Sequence, residues 1–503
     1  MNHKTTTATQ TNGAHPHQPE RDLLDEMLYM GEAVAEQAPQ PASDYLLTAG
    51  LHDEGNAQCT HERHGRKFLY NDAYGWLSYT GTHWATEGAE AAVERAITET
   101  LQARIAAANA AGAEQWGSVI VKCIPNHNRV TGAKNQLRSL VYAPVSSFDN
   151  NPDLLNCKNG VVDLRTGMLL PHDIDQRFMY CISTAYKPEA ARSTHYQQWA
   201  EWLTNATSKE QADWLQMAQG YSATGHTREE ILVYLHGPTR SGKGTYTSAM
   251  LRLFGEPLAK AVQFSMFTAT RGGDDQNFDL APLKPSRFIA ASESRQYERF
   301  NEAKVKQITG GNKIQCAFKH QTPFSYRPKY KIWLSSNQPV NADPDDDAVW
   351  GRVRVVEFPN SKLGQEDKTL KDRMKSTSML ESILCWAIEG AARWYKLGDS
   401  GLPELKSGLK AKTLQRNELD HVQAWLDECC KSDDPKSFAP NNEIRSSYEN
   451  WCKHNGVPPK QKGLSQSLIK KGFNNNGGKV HRYTDNVGMS QVSRGFFGMK
   501  ILR

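Results

Sequence analysis

Short apolar runs, separated by helix-like segments, mark the middle of the chain between Ile231 and Phe358. The four runs read ILVYLHG, RFIAAS, KIWLSS and VRVVEF. Continuous apolar runs of this length are typical of strands buried on both faces, as in a parallel sheet whose crossovers are helices. The pattern predicts an α/β domain with a parallel sheet over residues 226–400.

The region before this domain mixes β-like and helical patterns. The text between Lys67 and Trp84 alternates aromatic and polar residues around glycine turns, and LLNCKNGVVDLRTGMLLPH reads as a β-hairpin. A stripe of large apolar residues follows at near-helical spacing, and we interpret it as core packing rather than as part of a cofactor site. The stripe consists of Trp199, Trp202, Leu203, Trp214 and Leu215. An α+β accessory domain is therefore predicted over residues 46–225.

Residues 418–503 show the element order of a winged helix. Three helical patterns are followed by β-like text with Gly and Asn turns. The helical patterns lie at His421–Cys430, Asn442–His454 and Leu464–Lys471. Basic residues on the last helix, Lys470 and Lys471, are typical of duplex contact. The alternative is a small domain that binds protein or packs against the rest of the chain.

Composition says more about the cellular compartment of the protein than about its chemistry. Residues 1–45 begin with a leader rich in Thr, Gln, His and Pro, and we expect them to be disordered. No apolar run approaches the ~20 residues needed to span a bilayer, and the N-terminus lacks the apolar stretch of a signal peptide. Nine cysteines without a CxxC pair favour a reduced compartment, so we expect a cytoplasmic protein without a membrane partner. The formal charge of +5 permits nucleic-acid binding without requiring it.

A glycine-rich loop, GPTRSGKGT, follows the first of the four apolar runs and precedes a helical pattern. In this order the backbone N–H groups of the loop can converge on phosphates, and the helix adds its positive end. Lys243 would reach the β- and γ-phosphates of ATP. The predicted nucleotide-binding residues are Gly237, Pro238, Thr239, Arg240, Ser241, Gly242, Lys243, Gly244 and Thr245. The alternative is a glycine-rich turn with an unrelated lysine.

Two residues are candidates for holding Mg²⁺. The usual pattern places Ser or Thr directly after the lysine, but here Gly244 takes that place and Thr245 follows, as in adenylate-kinase-type loops. Glu293 follows the run RFIAAS and would organise metal and water from a strand parallel to the first. A solvated glutamate at the start of a helix is the other interpretation of Glu293.

Two further polar residues extend the candidate catalytic set. Asn337 directly follows the run KIWLSS, at the carboxyl end of the strand, where an amide can orient the attacking water; an ordinary turn is the alternative. Arg352 follows a short acidic run and could act as an arginine finger on a neighbour's γ-phosphate, the alternative being a salt bridge to the adjacent aspartates. The acidic run could bind a metal, but we favour a solvated loop. Its members are Asp343, Asp345, Asp346 and Asp347.

Three residues near the N-terminus have metal-binding side chains. Cys59, His61 and His64 lie in the segment CTHERH. Because a zinc site normally needs four ligands and no fourth one lies nearby, we favour a surface loop.

Taken in order, these motifs resemble the helicase half of phage and plasmid primase–helicases, which belong to the superfamily 3 helicases. The most specific text is KQITGGNKIQ followed by FKHQTPF and the strand that ends in Asn337. The resemblance runs from about Leu154 to Phe358, and more loosely from Lys67 to the C-terminus. It implies an AAA+-like P-loop core in a hexameric ring that hydrolyses ATP between subunits and draws single-stranded DNA through its centre.

The resemblance also implies roles for single residues. Lys243 and Thr245 would serve phosphate and magnesium, Glu293 the catalytic water, and Asn337 would sense the γ-phosphate. Arg352 would be the finger from the next subunit.

The central DNA-gripping hairpin of that family falls near Lys319 and His320, and Lys306 belongs to the same family motif. Lysines in a pore suit a phosphate backbone that is held without sequence preference. The alternative for all three residues is a polar hairpin tip.

We therefore expect an ATP-dependent DNA helicase of a phage, plasmid or satellite replicon, active in the cytosol of a bacterial host. Full-length members of the family carry a primase domain, for which residues 1–150 are too short, so a separate primase or replication protein is the expected partner. Single-stranded DNA and origin duplex DNA are the expected nucleic-acid partners. The resemblance suggests 3′ to 5′ unwinding.

Two other functions remain open from the sequence. A nucleotide-switched DNA-binding initiator or defence ATPase would use the same loop without processive unwinding. A small-molecule kinase is suggested by the GKGT spacing. Such kinases place the loop near the N-terminus and need a substrate lid, whereas over two hundred residues precede the loop here.

Overall fold

The computed structural model groups its described residues into two compact units, one of residues 45–65 and 94–140 and one of residues 66–93 and 141–502. The predicted leader, residues 1–45, lies outside the described residues except for Tyr45, which begins a helix. The structure describes residues 45–268, 277–292, 299–317, 324–432, 434–460, 463–484 and 487–502.

The first unit is helical. It contains α1 (Tyr45–Thr48), α2 (Asp53–His64), most of α3 (Ala89–Lys122, broken at Gly112) and α4 (His127–Leu140). Arg104 is fully buried at its centre and donates to the carbonyls of Leu46, Ala49 and Gly50 and to Oδ1 of Asn56. Because a buried guanidinium needs its donors satisfied, these bonds join α3 to α2 and to the chain before it.

The segment CTHERH is the second half of α2, so the predicted surface loop is wrong. His52 caps the helix by accepting from the backbone N–H of Gly55 at 3.4 Å, and Asp53 and Glu54 lie in the first turn. Carboxylates in the first turn favour a helix through its dipole. Cys59 is fully buried inside the unit. Within the described ranges, no group of three His, Cys, Asp or Glu residues could hold a metal ion.

Two small antiparallel sheets open the second unit. The β-like text from Lys67 forms one sheet, as predicted, and the predicted hairpin forms another with three strands instead of two. The first sheet is β1 (Phe68–Asn71), β2 (Gly75–Tyr79) and β3 (Trp84–Ala85). The second is β4 (Leu154–Cys157), β5 (Gly160–Asp163) and β6 (Leu169–Leu170).

A five-stranded parallel sheet forms the centre of the second unit, and its strand order is β13-β7-β12-β9-β8. All four predicted strands are present. The additional edge strand, β8, was not predicted because its side chains alternate between buried and exposed positions. The strands are β7 (Leu232–His236), β8 (Ala259–Gln263), β9 (Phe288–Ser292), β12 (Lys331–Ser336) and β13 (Val353–Glu357).

Helices cover this sheet, and the largest contact between them joins the helix before β7 to the long helix after β13. Ser208 caps the second half of the predicted helical stretch and so divides the stretch into two helices. The helices are α5 (Thr194–Ala206), α6 (Lys209–Ala223), α7 (Lys243–Phe254), α8 (Glu302–Thr309), α9 (Asp347–Arg352), α10 (Leu370–Arg373), α11 (Thr377–Lys396) and α12 (Lys406–Leu419).

The apolar stripe on α5 and α6 packs largely as predicted. Trp199, Leu203, Trp214 and Leu215 are buried in the core between these helices and the sheet. Trp202 differs from them, because it is only partly buried and packs against the rim of that core.

The predicted central hairpin is present as two antiparallel strands, β10 (Ile314–Cys316) and β11 (Phe324–Tyr326). Gln315 pairs with Ser325 at the middle of the ladder. The hairpin tip, with Lys319 and His320, lies outside the described residues.

The C-terminal part contains the three predicted helices followed by a hairpin. Its helices are α13 (His421–Cys429), α14 (Asn441–His454) and α15 (Leu464–Lys470). The strands are β14 (Cys430–Lys431), β15 (Phe438–Pro440), β16 (His481–Thr484), β17 (Ser490–Ser493), β18 (Gly495–Phe497) and β19 (Lys500–Ile501). Pairing of β14 with β19 and of β15 with β18 returns the chain end to the first helix. The winged-helix assignment stays a prediction.

Across the described ranges, none of the helices combines the length and the apolar character that a bilayer crossing needs.

Candidate functional site

The glycine-rich loop, Gly237–Thr245, leaves the carboxyl end of β7 and leads into α7. Gly237 has a φ of +152°, and an added Cβ would overlap the carbonyl oxygen of Phe358, so only glycine fits there. Gly242 adopts a left-handed conformation (φ +104°) and precedes the first residue of α7. The loop therefore wraps closely around the N-terminal end of a twelve-residue helix, the arrangement that binds phosphate groups.

Lys243 is folded back over the loop. Its Nζ donates to the carbonyl oxygens of Gly237 (2.7 Å) and Pro238 (2.8 Å), to Oγ of Ser241 (3.2 Å) and to Oδ1 of Asn337 (3.0 Å). Only 6% of the residue is exposed, and burial lowers the pKa of its amine to about 8. Its acceptors among the described residues are all neutral, and a buried ammonium in such surroundings is suited to receive an anion.

The strand order brings Asn337 to the loop. The two strands β7 and β12 are parallel neighbours that end together, since Ser336 pairs with His236. Asn337 follows directly and donates from Nδ2 to Oγ1 of Thr239 at 3.1 Å while it accepts from Lys243. The structure thus brings together Lys243 and Asn337, two residues that the sequence proposed for one site.

A cleft of about 860 Å³ lies over the loop. Thr245 and Ser335 line it, and both are at least 90% buried. Among the described residues, six basic side chains and two carboxylates line the cleft, so its charge suits a polyanion. The basic residues are Arg240, Lys243, Lys362, Lys368, Lys371 and Arg373, and the acidic ones are Glu366 and Asp367.

A segment after β13, residues 360–373, forms a wall of the cleft and was not found from the sequence. Oγ of Ser361 donates to the carbonyl oxygen of Thr239 (2.8 Å), and the backbone N–H of Lys362 donates to the carbonyl oxygen of Arg240 (3.0 Å). These bonds fix the segment to the glycine-rich loop. The only sequence signal is a segment of mixed positive and negative charges, SKLGQEDKTLKDR, which has no motif associated with it.

Arg352 lies outside the residues that line this cleft. It ends α9, and its Nη2 forms an ion pair with Glu230 at 2.8 Å, while Nε donates to Oγ1 of Thr309 at 3.1 Å. Its partner is therefore Glu230 and not one of the neighbouring aspartates. A role in the site of a second subunit stays a prediction.

Glu293, the proposed metal and water residue, lies outside the described residues. Strand β9 ends just before it at Ser292, which pairs with Ser335 of β12 at the same edge of the sheet.

The four aspartates of the acidic run form ion pairs, so the predicted solvated loop is wrong. Asp346 additionally caps α9, with the backbone N–H of Val349 donating to its Oδ1 at 3.2 Å. The ion pairs join Asp343 to Arg299 and Lys460, Asp345 to Lys460, Asp346 to Lys306, and Asp347 to Arg416 and Lys470. Lys460 and Lys470 belong to the C-terminal part, so the run anchors that part to the sheet domain.

Three of the proposed DNA-binding lysines therefore have carboxylate partners. Lys306 lies 2.8 Å from Asp346, Lys471 lies 2.5 Å from Asp420, and Lys470 lies 3.8 Å from Asp347. Lys470 has about half of its side chain exposed, more than the other two. DNA phosphates would have to replace these carboxylates, and the DNA-binding roles stay predictions.

Two family models match the chain. One, described as "D5 N terminal like", matches residues 57–208, and the other, described as "Family of unknown function (DUF5906)", matches residues 235–353. The second match contains Lys243, Asn337 and Arg352.

Three curated viral proteins, each named as a putative helicase, are similar to the chain. The protein of Acanthamoeba polyphaga mimivirus is 22% identical over 280 residues, which cover 53% of this chain and 29% of that protein. The protein of Sputnik virophage is 23% identical over 32% of this chain and 22% of that protein. The protein of Frog virus 3 is also 23% identical, over 46% of this chain and 25% of that protein. The chain thus spans less than a third of the length of each relative.

Among solved structures, the apo structure of the NrS-1 C terminal region is similar over 88% of this chain and 99% of that one, with 10% identity and a TM-score of 0.46. The chain is helicase-like, as the curated relatives and the D5 N terminal like region indicate. The predicted resemblance to primase–helicases is confirmed at that level.

Proposed function

We propose that the chain is an ATP-dependent DNA helicase whose nucleotide site is the cleft over the glycine-rich loop. The observation on which this rests is the convergence of Lys243 and Asn337, from neighbouring parallel strands, on a loop that leads into the N-terminus of α7. A loop of this form, beside a basic cleft, suits a polyphosphate. The helicase names of the relatives support DNA as the polymer on which this chemistry would act.

Different residues of this chain would bind the phosphates, orient the attacking water and hold the metal ion during hydrolysis. Lys243 would exchange its carbonyl partners for the β- and γ-phosphates, and Asn337, already beside it at 3.0 Å, would orient the attacking water near the γ-phosphate. Thr245 and Glu293 would hold Mg²⁺, partly through water, and the ion would neutralise part of the phosphate charge when bound.

We also propose assembly into a ring, with a hexamer as the expected form. Arg352 lies away from its own cleft and retains about a fifth of its side chain exposed, which suits contact with the γ-phosphate of a neighbour. Lys306, Lys319 and His320 would then hold single-stranded DNA in the centre. Lys470 in the C-terminal part would contact duplex DNA, and a separate primase or replication protein would be a partner.

The depressed pKa of Lys243 predicts a pH-dependent affinity for ATP. Phosphate binds the protonated amine, and in the free protein the amine loses its proton as the pH rises through about 8. The dissociation constant should therefore rise by about fivefold to tenfold between pH 7.5 and pH 9. Isothermal titration calorimetry at both values measures it. Lys243→Arg, which stays protonated, should show a flatter profile, and a flat wild-type profile would contradict the assignment.

Hydrolysis with and without DNA tests the proposed function. We expect the wild type to hydrolyse ATP and to do so faster when single-stranded DNA is present, because a translocating motor couples the two. A rate that is indifferent to DNA would favour the nucleotide-switched or kinase functions. Absence of hydrolysis under all conditions would contradict the proposal.

A further inference from the structure

An aromatic side chain lies in the cleft beside the glycine-rich loop. Trp202, on α5, is half-buried and lines the cleft together with Ala206 and Leu370. An added Cβ on Gly242 would lie 3.2 Å from Cζ2 of Trp202. The indole is therefore in van der Waals reach of the loop, at the point where α7 begins.

Buried rings hold this indole in place. The ring centroids of Trp202 and Trp199 are 5.2 Å apart, and Trp199 stacks on Tyr246 of α7 at 5.9 Å with an interplanar angle of 21°. Tyr246 in turn lies 5.6 Å from Trp333 of β12. Because this row is anchored in both the helix and the sheet, the position of the Trp202 ring is set before any ligand binds, which lowers the entropic cost of binding.

Trp202 is more exposed to solvent than the aromatic rings on which it packs. Trp199, Tyr246 and Trp333 are fully buried, whereas Trp202 keeps part of its surface open to the cleft. The same cleft holds Lys243 and five other basic side chains. It therefore combines a charged region with an apolar, aromatic one, as a ligand with a polyphosphate and a flat ring system requires.

We propose that Trp202 is the base-binding residue of the nucleotide site. The base would stack on the indole, and Leu370, which lines the same cleft, would provide further apolar contact. This inference rests on the proposed function, namely that the glycine-rich loop binds the polyphosphate. Since every nucleobase has a π-face, stacking on Trp202 adds affinity with little preference for one base.

Binding of ATP and of inorganic tripolyphosphate, measured by calorimetry, separates the base from the phosphates. In Trp202→Leu we expect the dissociation constant of ATP to rise about tenfold, the loss of one base–aromatic stack, and that of tripolyphosphate to change by less than about twofold. Trp451→Leu, at a half-buried tryptophan of the C-terminal part, is the matched control and should bind both ligands as the wild type does.

Several outcomes would overturn the inference. If ATP affinity is unchanged in Trp202→Leu, or if both ligands weaken equally, Trp202 does not bind the base. If the wild type binds tripolyphosphate no more weakly than ATP, no base contact exists although the phosphate site does. If the wild type binds neither ligand, the proposed function itself fails, which distinguishes the two failures.

A measurement on the unaltered protein covers the case in which Trp202→Leu does not fold. The triphosphate of 2-aminopurine riboside is fluorescent, and stacking on an indole quenches it. We expect strong quenching on saturation of the wild type and of Trp451→Leu, and weaker quenching in Trp202→Phe. Unchanged fluorescence at saturation of the wild type would overturn the inference.

Discussion

Replacing Lys243 by alanine should reduce ATP hydrolysis by at least about 100-fold, as the loss of a preorganised charged donor does in other active sites. The Lys243 side chain joins the loop to Asn337, as Thr239 also does, and it donates four hydrogen bonds among the described residues. Without it the γ-phosphate would lose its positive partner, and Asn337 would lose one of the two contacts that fix its amide. Phosphate release in single- and multiple-turnover assays measures the loss.

A matched lysine controls for charge and for the general effect of substitution. Lys410 is exposed on α12 and does not line the cleft, so Lys410→Ala should hydrolyse ATP at the wild-type rate. Lys243→Ala should keep a wild-type melting temperature to within a few degrees. Hydrolysis that survives in a folded Lys243→Ala protein would show that the catalytic site is elsewhere.

The second large effect is on stability and concerns the crossing of α6 and α11. Gly220 and Gly390 face each other there so closely that an added Cβ on either would overlap the backbone of the other helix. Gly390→Val should therefore force the helices apart and destabilise the unit by about 3 kcal/mol, well above the gain of about 1 kcal/mol at most from removing a helical glycine. Thermal unfolding followed by circular dichroism measures the effect.

Gly351 provides the control for this substitution. It also lies in a helix, but an added Cβ there would meet no atom within 4 Å. Gly351→Ala should therefore leave the melting temperature unchanged or raise it slightly. Equal effects of Gly390→Val and Gly351→Ala would contradict the close packing of α6 on α11.

The parallel sheet and half of the candidate site follow from local sequence patterns. Four apolar runs predicted four strands, and the carboxyl ends of neighbouring parallel strands meet at one edge, which is why Lys243 and Asn337 converge. Strand β8 is not predicted from the sequence because it lies at the edge of the sheet. Its alternating polar residues interrupt the apolar run that marks the other strands.

Contacts between distant segments could not be predicted in the same way. Helical spacing shows that Trp199 and Trp202 share a helix, but not that one faces the core and the other the cleft. The partners of the acidic run are distant in sequence on both sides of it: Lys306 lies 40 residues before Asp346, and Lys460 lies 117 residues after Asp343. The cleft wall at residues 360–373 has no regular periodicity, so only the folded chain reveals its place beside the loop.

The structure also changes the interpretation of the basic residues. The family motif suggests Lys306 as a DNA contact, and the basic last helix suggests Lys470, yet both lie beside aspartates of the acidic run. Exposed ion pairs contribute little net stability, so a high density of DNA phosphates can compete with them. Binding through these lysines should therefore weaken steeply as salt is raised.

Strand displacement on a DNA fork tests the helicase function itself. A forked DNA duplex with a fluorescent strand would be mixed with the wild type or with Lys243→Ala, each with and without ATP and Mg²⁺. We expect displacement only by the wild type with ATP, at a rate that follows hydrolysis. Hydrolysis stimulated by DNA but without any displacement of the strand would contradict the helicase function and favour a nucleotide-switched DNA-binding protein.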